Sequence, residues 1–337
     1  MNGSFWRKAA MVSVCLLMGC NPGELPQSGG LEGPRLAGSL GAKKSPQKAE
    51  ASRFPLKLRI PIQDFFPEGI AHSADGTFYV GSYSTGTVLR QRPGTFHFEP
   101  FLPANGRAIA GMKVEDSTRT LWLCELDLTQ ATPGGLKAYD LHTGRLRGFW
   151  PFPVEGGCND LTLDSQGNVY ATDTFLGVVR RLKKGASQLE TWASDPERFM
   201  APPGYPGLNG IVWDNGSVYV VKYDSGELFR IGINPNGSAG TITRITTDSP
   251  LGFPDGILML SPGVLLVVDN DNGQFKRVDL SGDSGHVSVL ATGFDNPTTV
   301  ALHDGDAFIV ESQFDHFFGI DQTPPDVPFT VKRVWLR

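Results

Sequence analysis

Charge is scarce in this sequence. Asp, Glu, Lys and Arg make up only 19% of the 337 residues, and they leave a net charge of −5. A phosphate-binding surface needs a basic excess, so nucleic acid is excluded as the main partner. Long apolar runs are also missing. Beyond the first twenty residues no window holds the ~18 consecutive apolar residues of a spanning helix. Histidine is sparse, and His72, His97, His142, His286, His303 and His316 show no zinc-ligand spacing. No Gly-rich phosphate loop occurs. What is abundant is glycine and proline, 41 and 25 residues, which helix interiors tolerate poorly. The 40% apolar content is still enough for a sizeable core and argues against disorder.

The first residues read as a leader. Arg7 and Lys8 precede an apolar run from Ala9 to Met18, which ends Leu17-Met18-Gly19-Cys20. A short run with a small residue before the cut is a signal peptide. Its ending resembles the lipobox of bacterial lipoproteins, which implies cleavage before Cys20 and lipidation of that thiol. Residues 1–19 are then a lipoprotein signal peptide, and residues 20–52, rich in Gly, Pro and Ser, a flexible tether. The expected location is the periplasmic face or the outer membrane, with the membrane touched only through the lipid. Cys124 and Cys158 remain; the exported setting permits a disulfide, and two buried free thiols fit equally well.

From residue 53 to 337 one pattern recurs: a small-residue start, an apolar strand, a tight polar turn, a second strand, a Gly-containing loop and a third strand ending in basic residues. The repeats start near Gly69, Gly111, Asp160, Gly210, Gly256 and Thr298, at spacings of 42, 49, 50, 46 and 42 residues. Asp75-Gly76, Gln166-Gly167, Asn215-Gly216, Pro262-Gly263 and Asp304-Gly305 supply hairpin turns. Repeats of this length predict an all-β, six-bladed β-propeller of four-stranded blades. The chain ends on a third strand, Phe329–Val334, so the N-terminal segment Phe54–Ile60 is expected to complete the last blade and hide its open edge.

The first strand of each blade lines the channel, and its first residue sits at the mouth. That position reads Glu68, Ala110, Asn159, Asn209, Asp255 and Thr298. Convergent carboxylate and amide oxygens suit a hard divalent cation, Ca²⁺ above Mg²⁺. The loops after the second strands return to the same face with Ser82, Glu125, Asp173, Lys222, Asp269 and Glu311. Apart from the serine, these are candidate substrate-binding residues, and Lys222 is placed to stabilise an oxyanion. Long loops at 127–135, 195–208 and 313–326 carry Phe199, Met200, Tyr205, Phe314, Phe317 and Phe318 as a candidate lid. His316 is a candidate for proton transfer. Gly282-Asp283-Ser284-Gly285 looks protease-like but falls in an outer turn on the opposite face.

With Pro67-Glu68-Gly69, Asn159-Asp160, Leu208-Asn209-Gly210 and Pro254-Asp255-Gly256 in this order, residues 60–315 resemble the senescence marker protein/gluconolactonase family. They are also similar to the wider group of calcium-dependent lactonases and phosphotriesterases that includes paraoxonase. The resemblance implies that Glu68, Asn159, Asn209 and Asp255 hold a catalytic divalent metal, with Asp255 as base or nucleophile. The substrate it implies is a small lactone or related ester. Two family features are absent: Gly157-Cys158 replace the Arg usual before Asn-Asp, and no His pair opens blade two. The alternative is a non-catalytic binding module of the cell envelope with a structural metal.

Overall fold

A computed structural model describes residues 57–336. The leader, Cys20, the tether and residues 54–56 of the expected closing segment lie outside the described residues. The chain is all-β, with 24 strands and two short helices among the described residues.

Four sheets are four-stranded and antiparallel, each built from consecutive strands or nearly so. The first contains β2 (Pro67–His72), β3 (Phe78–Ser82), β4 (Val88–Gln91) and β5 (Glu99–Leu102). The second contains β6 (Ala108–Glu115), β7 (Thr120–Leu126), β8 (Gly135–Asp140) and β9 (Leu146–Pro151). The third contains β10 (Cys158–Leu163), β11 (Val169–Asp173), β12 (Val178–Leu182) and β13 (Glu190–Ser194). The fourth joins the two ends of the chain. Here β22 (Pro297–His303), β23 (Asp306–Glu311) and β24 (Phe329–Trp335) are completed by β1 (Lys57–Ile60), whose residues pair antiparallel with Phe329–Lys332.

The remaining strands form one eight-stranded sheet, where separate four-stranded units are expected. One half is β14 (Leu208–Asp214), β15 (Ser217–Lys222), β16 (Glu227–Ile233) and β17 (Ala239–Thr247). The other is β18 (Pro254–Ser261), β19 (Val264–Asp269), β20 (Gln274–Ser281) and β21 (Ser284–Thr292). The halves meet where Thr246 and Thr247 pair in parallel with Ser284 and Gly285. Arg230 draws the edges together, donating to the Gly282 carbonyl at 2.9 Å and pairing with Asp283 at 2.5 Å. The protease-like stretch is thus an edge fastener.

Turn chemistry sets the hairpins. Asn215-Gly216 and Asp304-Gly305 hold positive φ at both central positions, 42° and 78° in one turn and 50° and 80° in the other. That backbone matches the strand twist and favours Asn, Asp and Gly. The strands alternate sides, and their buried faces pack between neighbouring sheets. Tyr170 and Trp192 of one sheet, for example, share a cluster with Ile211, Val218 and Phe229 of the next. The first strands lie side by side: β2 by β6, β6 by β10, β10 by β14, β14 by β18, β18 by β22, and β22 by β2. A disulfide joins Cys124 of β7 to Cys158 of β10 and so ties two neighbouring sheets. Of the two states open to these cysteines, the structure has the bridge.

Candidate metal centre

All six first strands carry the same irregularity at the same place. Pro67 pairs with Ser82 and Ile70 with Val80, so Glu68 and Gly69 face a single residue on β3. The same bulge follows Ile109, Cys158, Leu208, Pro254 and Pro297. A bulge re-aims the extra residue out of the regular pleat. Here it turns Glu68, Asn159, Asn209 and Asp255 toward one cavity.

The residue after it must let the neighbouring strand come close. A Cβ on Gly69 would lie 2.2 Å from the Ala110 carbonyl oxygen, and one on Gly210 2.2 Å from that of Asp255. Where the glycine is absent, the side chain bonds instead. The Asp160 carboxylate accepts from the backbone N–H of Leu161 at 2.8 Å and of Ile211 at 3.3 Å. Thr299 accepts from the Ile70 N–H at 3.1 Å and donates to the Glu68 carbonyl at 2.6 Å. Thr298 also donates to the Glu68 carbonyl, at 2.8 Å, so it fixes Glu68 rather than facing the cavity.

Glu68, Asn159, Asn209 and Asp255 all line one cavity of about 170 Å³. In each, one side-chain oxygen is buried without a hydrogen-bond partner: Glu68 Oε2, Asn159 Oδ1, Asn209 Oδ1 and Asp255 Oδ1. A buried polar atom left unpaired costs about 1–3 kcal/mol, so four around one space demand an occupant. Burial pushes the Glu68 carboxyl well above the usual range, and the charges of Asp255 and Asp160 push the same way. Burial and Asp160 likewise raise Asp255. Asp160 itself is raised to about 6 by burial, against its backbone hydrogen bonds and the Lys113 charge. Buried, mutually repelling carboxylates beside amide oxygens fit a hard cation, which would offset the repulsion and satisfy the unpaired oxygens. The donor set therefore fits the expected ion.

The five candidate substrate residues are at the right height but face away. Glu125 meets Lys137 at 2.7 Å, Asp173 meets Arg180 at 2.7 Å, and Asp269 meets Lys276 at 2.6 Å. Glu311 meets Lys332 at 2.5 Å, and Lys222 meets Asp224 at 2.9 Å. None of the five lines the cavity. Strand alternation explains the displacement: the next residue in the chain turns the other way. Tyr83, Leu126, Thr174, Tyr223 and Asn270, each one place beyond a position picked from the sequence, line the cavity instead. The repeat located the height, and a shift by one residue would have found these five.

Asn270 and Tyr223 connect floor to rim. Asn270 Nδ2 donates to Asp255 at 3.3 Å and to the Pro297 carbonyl at 3.0 Å. The Tyr223 hydroxyl lies 3.2 Å from Asn270 Oδ1 and 3.0 Å from Asp271, which lines the rim.

Half of the candidate lid reaches the cavity: Tyr205, Phe314 and Phe318 line it. Phe199 ends helix α1 (Pro196–Phe199) and is fully buried, its ring 5.3 Å from that of Phe229. Phe317, at the end of helix α2 (Phe314–Phe317), packs on Phe66 at 5.1 Å. Met200 is exposed and does not line the cavity. His316 bonds the Thr323 carbonyl at 2.8 Å and is not among the lining residues either.

By sequence, no family profile and no curated protein matches the chain. Solved structures do match in fold. A gluconolactonase from Xanthomonas campestris aligns with a TM-score of 0.59 at 18% identity, over 76% of this chain and 86% of that one. Regucalcin from Agrobacterium tumefaciens, described as a calcium-binding protein, aligns with a TM-score of 0.61 at 17% identity, over 84% and 96%. The Malassezia sympodialis allergen Mala s 1 aligns with a TM-score of 0.66 at 12% identity, over 83% and 96%. The shared property is the propeller-like fold, which hosts unrelated functions.

Proposed function

We propose that the chain is a closed six-bladed β-propeller that hydrolyses a small lactone or related ester with the help of one divalent cation, Ca²⁺. Glu68, Asn159, Asn209 and Asp255 would hold the ion. The observation that carries this reading is the set of four buried, unpartnered oxygens around one cavity. The closed ring is supported by the contact of β22 with β2 and by the pairing of β1 with β24. The named functions of the gluconolactonase and of regucalcin agree with the reading.

A bound cation supplies Lewis-acid polarisation of the carbonyl. The chain's own residues do the rest. Asn270 orients the Asp255 carboxylate, which we assign to activating water or attacking the carbonyl carbon. Tyr205, Phe314 and Phe318 cover the cavity and limit water around the reacting group. On the same reading Cys20 anchors the propeller, through the tether, as an exported lipoprotein at the periplasmic face or outer membrane.

The second reading, a binding module with a structural metal, draws on the lining itself. Among the described residues lining the cavity none is Lys, Arg or His, which leaves carboxylates and tyrosines as its only proton-transfer groups. Hydrolysis of a panel of γ- and δ-lactones and aryl esters, with Ca²⁺ and with chelator, separates the two. Turnover that needs Ca²⁺ and is lost in Asp255→Ala is expected. Ca²⁺ binding without turnover of any ester would give the second reading.

A further inference from the structure

We propose that this cavity takes a molecule carrying an organic cation, an aryl- or alkylammonium group, in preference to a sugar acid or other anion. The inference rests on the cavity being a substrate or ligand site and is independent of whether hydrolysis follows. Its walls are aromatic: Tyr83, Phe175, Tyr205, Tyr223, Phe253 and Phe318. Ring faces attract cations, more strongly where water is excluded. They offer little to a polyhydroxylated ligand, which needs a polar partner for each buried hydroxyl.

The rim is acidic and uncompensated. Asp271 and Asp315 line the cavity, and among the described residues neither enters a salt bridge. Asp271 accepts from the Tyr223 hydroxyl at 3.0 Å, so its carboxylate is held at the hydroxyl edge of that aromatic ring. Asp271 is exposed at the mouth, and the Asp269 and Asp315 carboxylates lie close enough to add to the negative potential there. The nearby basic groups are engaged elsewhere. Lys222 is held by Asp224, and His316 bonds the Thr323 carbonyl. The ligand atoms of Asp315, His316 and Asp321 lie within 4.8 Å of one another, so Asp315 has a basic neighbour and Asp271 carries the larger share.

A cation on the floor would offset Glu68 and Asp255 but not these two. An anion entering the mouth then meets two carboxylates that no salt bridge offsets. An ammonium meets carboxylates and aromatic walls together.

The test is calorimetric titration at pH 8 of the Ca²⁺-loaded and the chelator-treated protein. The probes are phenyltrimethylammonium, the neutral 2-phenyl-2-propanol and benzenesulfonate. The ammonium is expected to bind about tenfold more tightly than the neutral probe, and benzenesulfonate not at all. Asp271→Asn and Asp315→Asn together should bring the ratio of cation to neutral affinity below about threefold, with Asp271→Asn alone giving most of the loss. Asp271→Asn alone serves if the pair does not fold. Equal binding of the cation and neutral probes, or a ratio unchanged in the variants, overturns the proposal. So does cation binding seen only with chelator, which would place the ammonium on the floor in the ion's stead. Ca²⁺ binding and ester turnover are measured separately, so failure of the hydrolase reading leaves this result readable.

Discussion

Two rings of buried polar groups stand at the same level of this protein, one strand apart. The inner ring is Glu68, Asn159, Asn209 and Asp255, each with an unpaired oxygen. The outer ring includes Glu125, Asp173, Asp269 and Glu311, each met by a base from the next strand. The outer pairs obey one rule. The base sits opposite the residue two places before the acid: Lys137 opposite Leu123, Arg180 opposite Ala171, Lys276 opposite Val267 and Lys332 opposite Ile309. Such diagonal pairs lie on one face of a sheet. Buried side-chain oxygens are therefore shared by both rings, and satisfaction separates them. A satisfied ring fastens the fold; on the proposed reading the unsatisfied one holds the cation.

The largest expected effect comes from breaking the satisfied ring. Lys276 donates to Asp269 at 2.6 Å and to the Leu251 carbonyl at 2.9 Å. Lys276→Met leaves the buried Asp269 charge without its base, held only by the Phe253 N–H and Asn272, and should cost about 3–5 kcal/mol of unfolding free energy, read by denaturant titration. Little loss of stability with a large loss of ligand binding would reverse the roles given to the two rings.

Next is the bridge that ties the rings of two sheets. Cys158 immediately precedes Asn159, and Cys124 immediately precedes Glu125. Replacing both cysteines by alanine should cost about 2–4 kcal/mol. It should also weaken Ca²⁺ binding, because the strand that presents Asn159 is less constrained; unchanged affinity would make the bridge a fastener only.

The inner ring should respond with the opposite sign. Asp255→Asn removes a buried charge that faces Glu68 and Asp160. It should stabilise the metal-free protein by on the order of 1–2 kcal/mol while abolishing any Ca²⁺-dependent rise in Tm. A destabilised metal-free variant would mean that this carboxylate is already satisfied.

The smallest effect is on pH. A carboxyl raised by folding contributes stability below its unfolded value, and that stability is lost as the pH climbs through the folded value. Glu68 and Asp255 are raised well above their ordinary values of 4.5 and 3.8, and Asp160 to about 6. Metal-free stability should therefore fall from about pH 4 through pH 6 and beyond, and Ca²⁺ should remove that fall. His72 runs the other way. Lowered to about 4 by burial and by His303, it contributes stability above 6.5 that is lost as the pH falls toward 4. The difference between Ca²⁺ and chelator at each pH isolates the inner ring.

The comparison also marks how far the sequence could be read. The strand repeat, its turns and the inner ring were legible because each recurs at a fixed place beside a glycine or an aspartate. The outer ring is visible as charge, but which base meets which acid depends on strand register, although basic residues closing the third strands form part of the same repeat. A step of one residue hid Tyr83, Tyr223 and Asn270, because alternation along a strand decides which neighbour faces the cavity. Phe199 and Phe317 read as lid residues because loop aromatics look alike in sequence; only packing sends one to Phe229 and the other to Phe66. The parallel pairing of β17 with β21 left no trace in the repeat, since two residue pairs and Arg230 suffice to make it.

The most direct test is calorimetric titration of the chelator-treated chain with Ca²⁺, alongside Asp255→Asn. One site per chain is predicted, with a rise in Tm that Asp255→Asn abolishes; at a hundred times the dissociation constant the stabilisation is about 2.7 kcal/mol. No heat and no shift in Tm at millimolar Ca²⁺ would contradict the account, and the four unpaired oxygens would need another occupant.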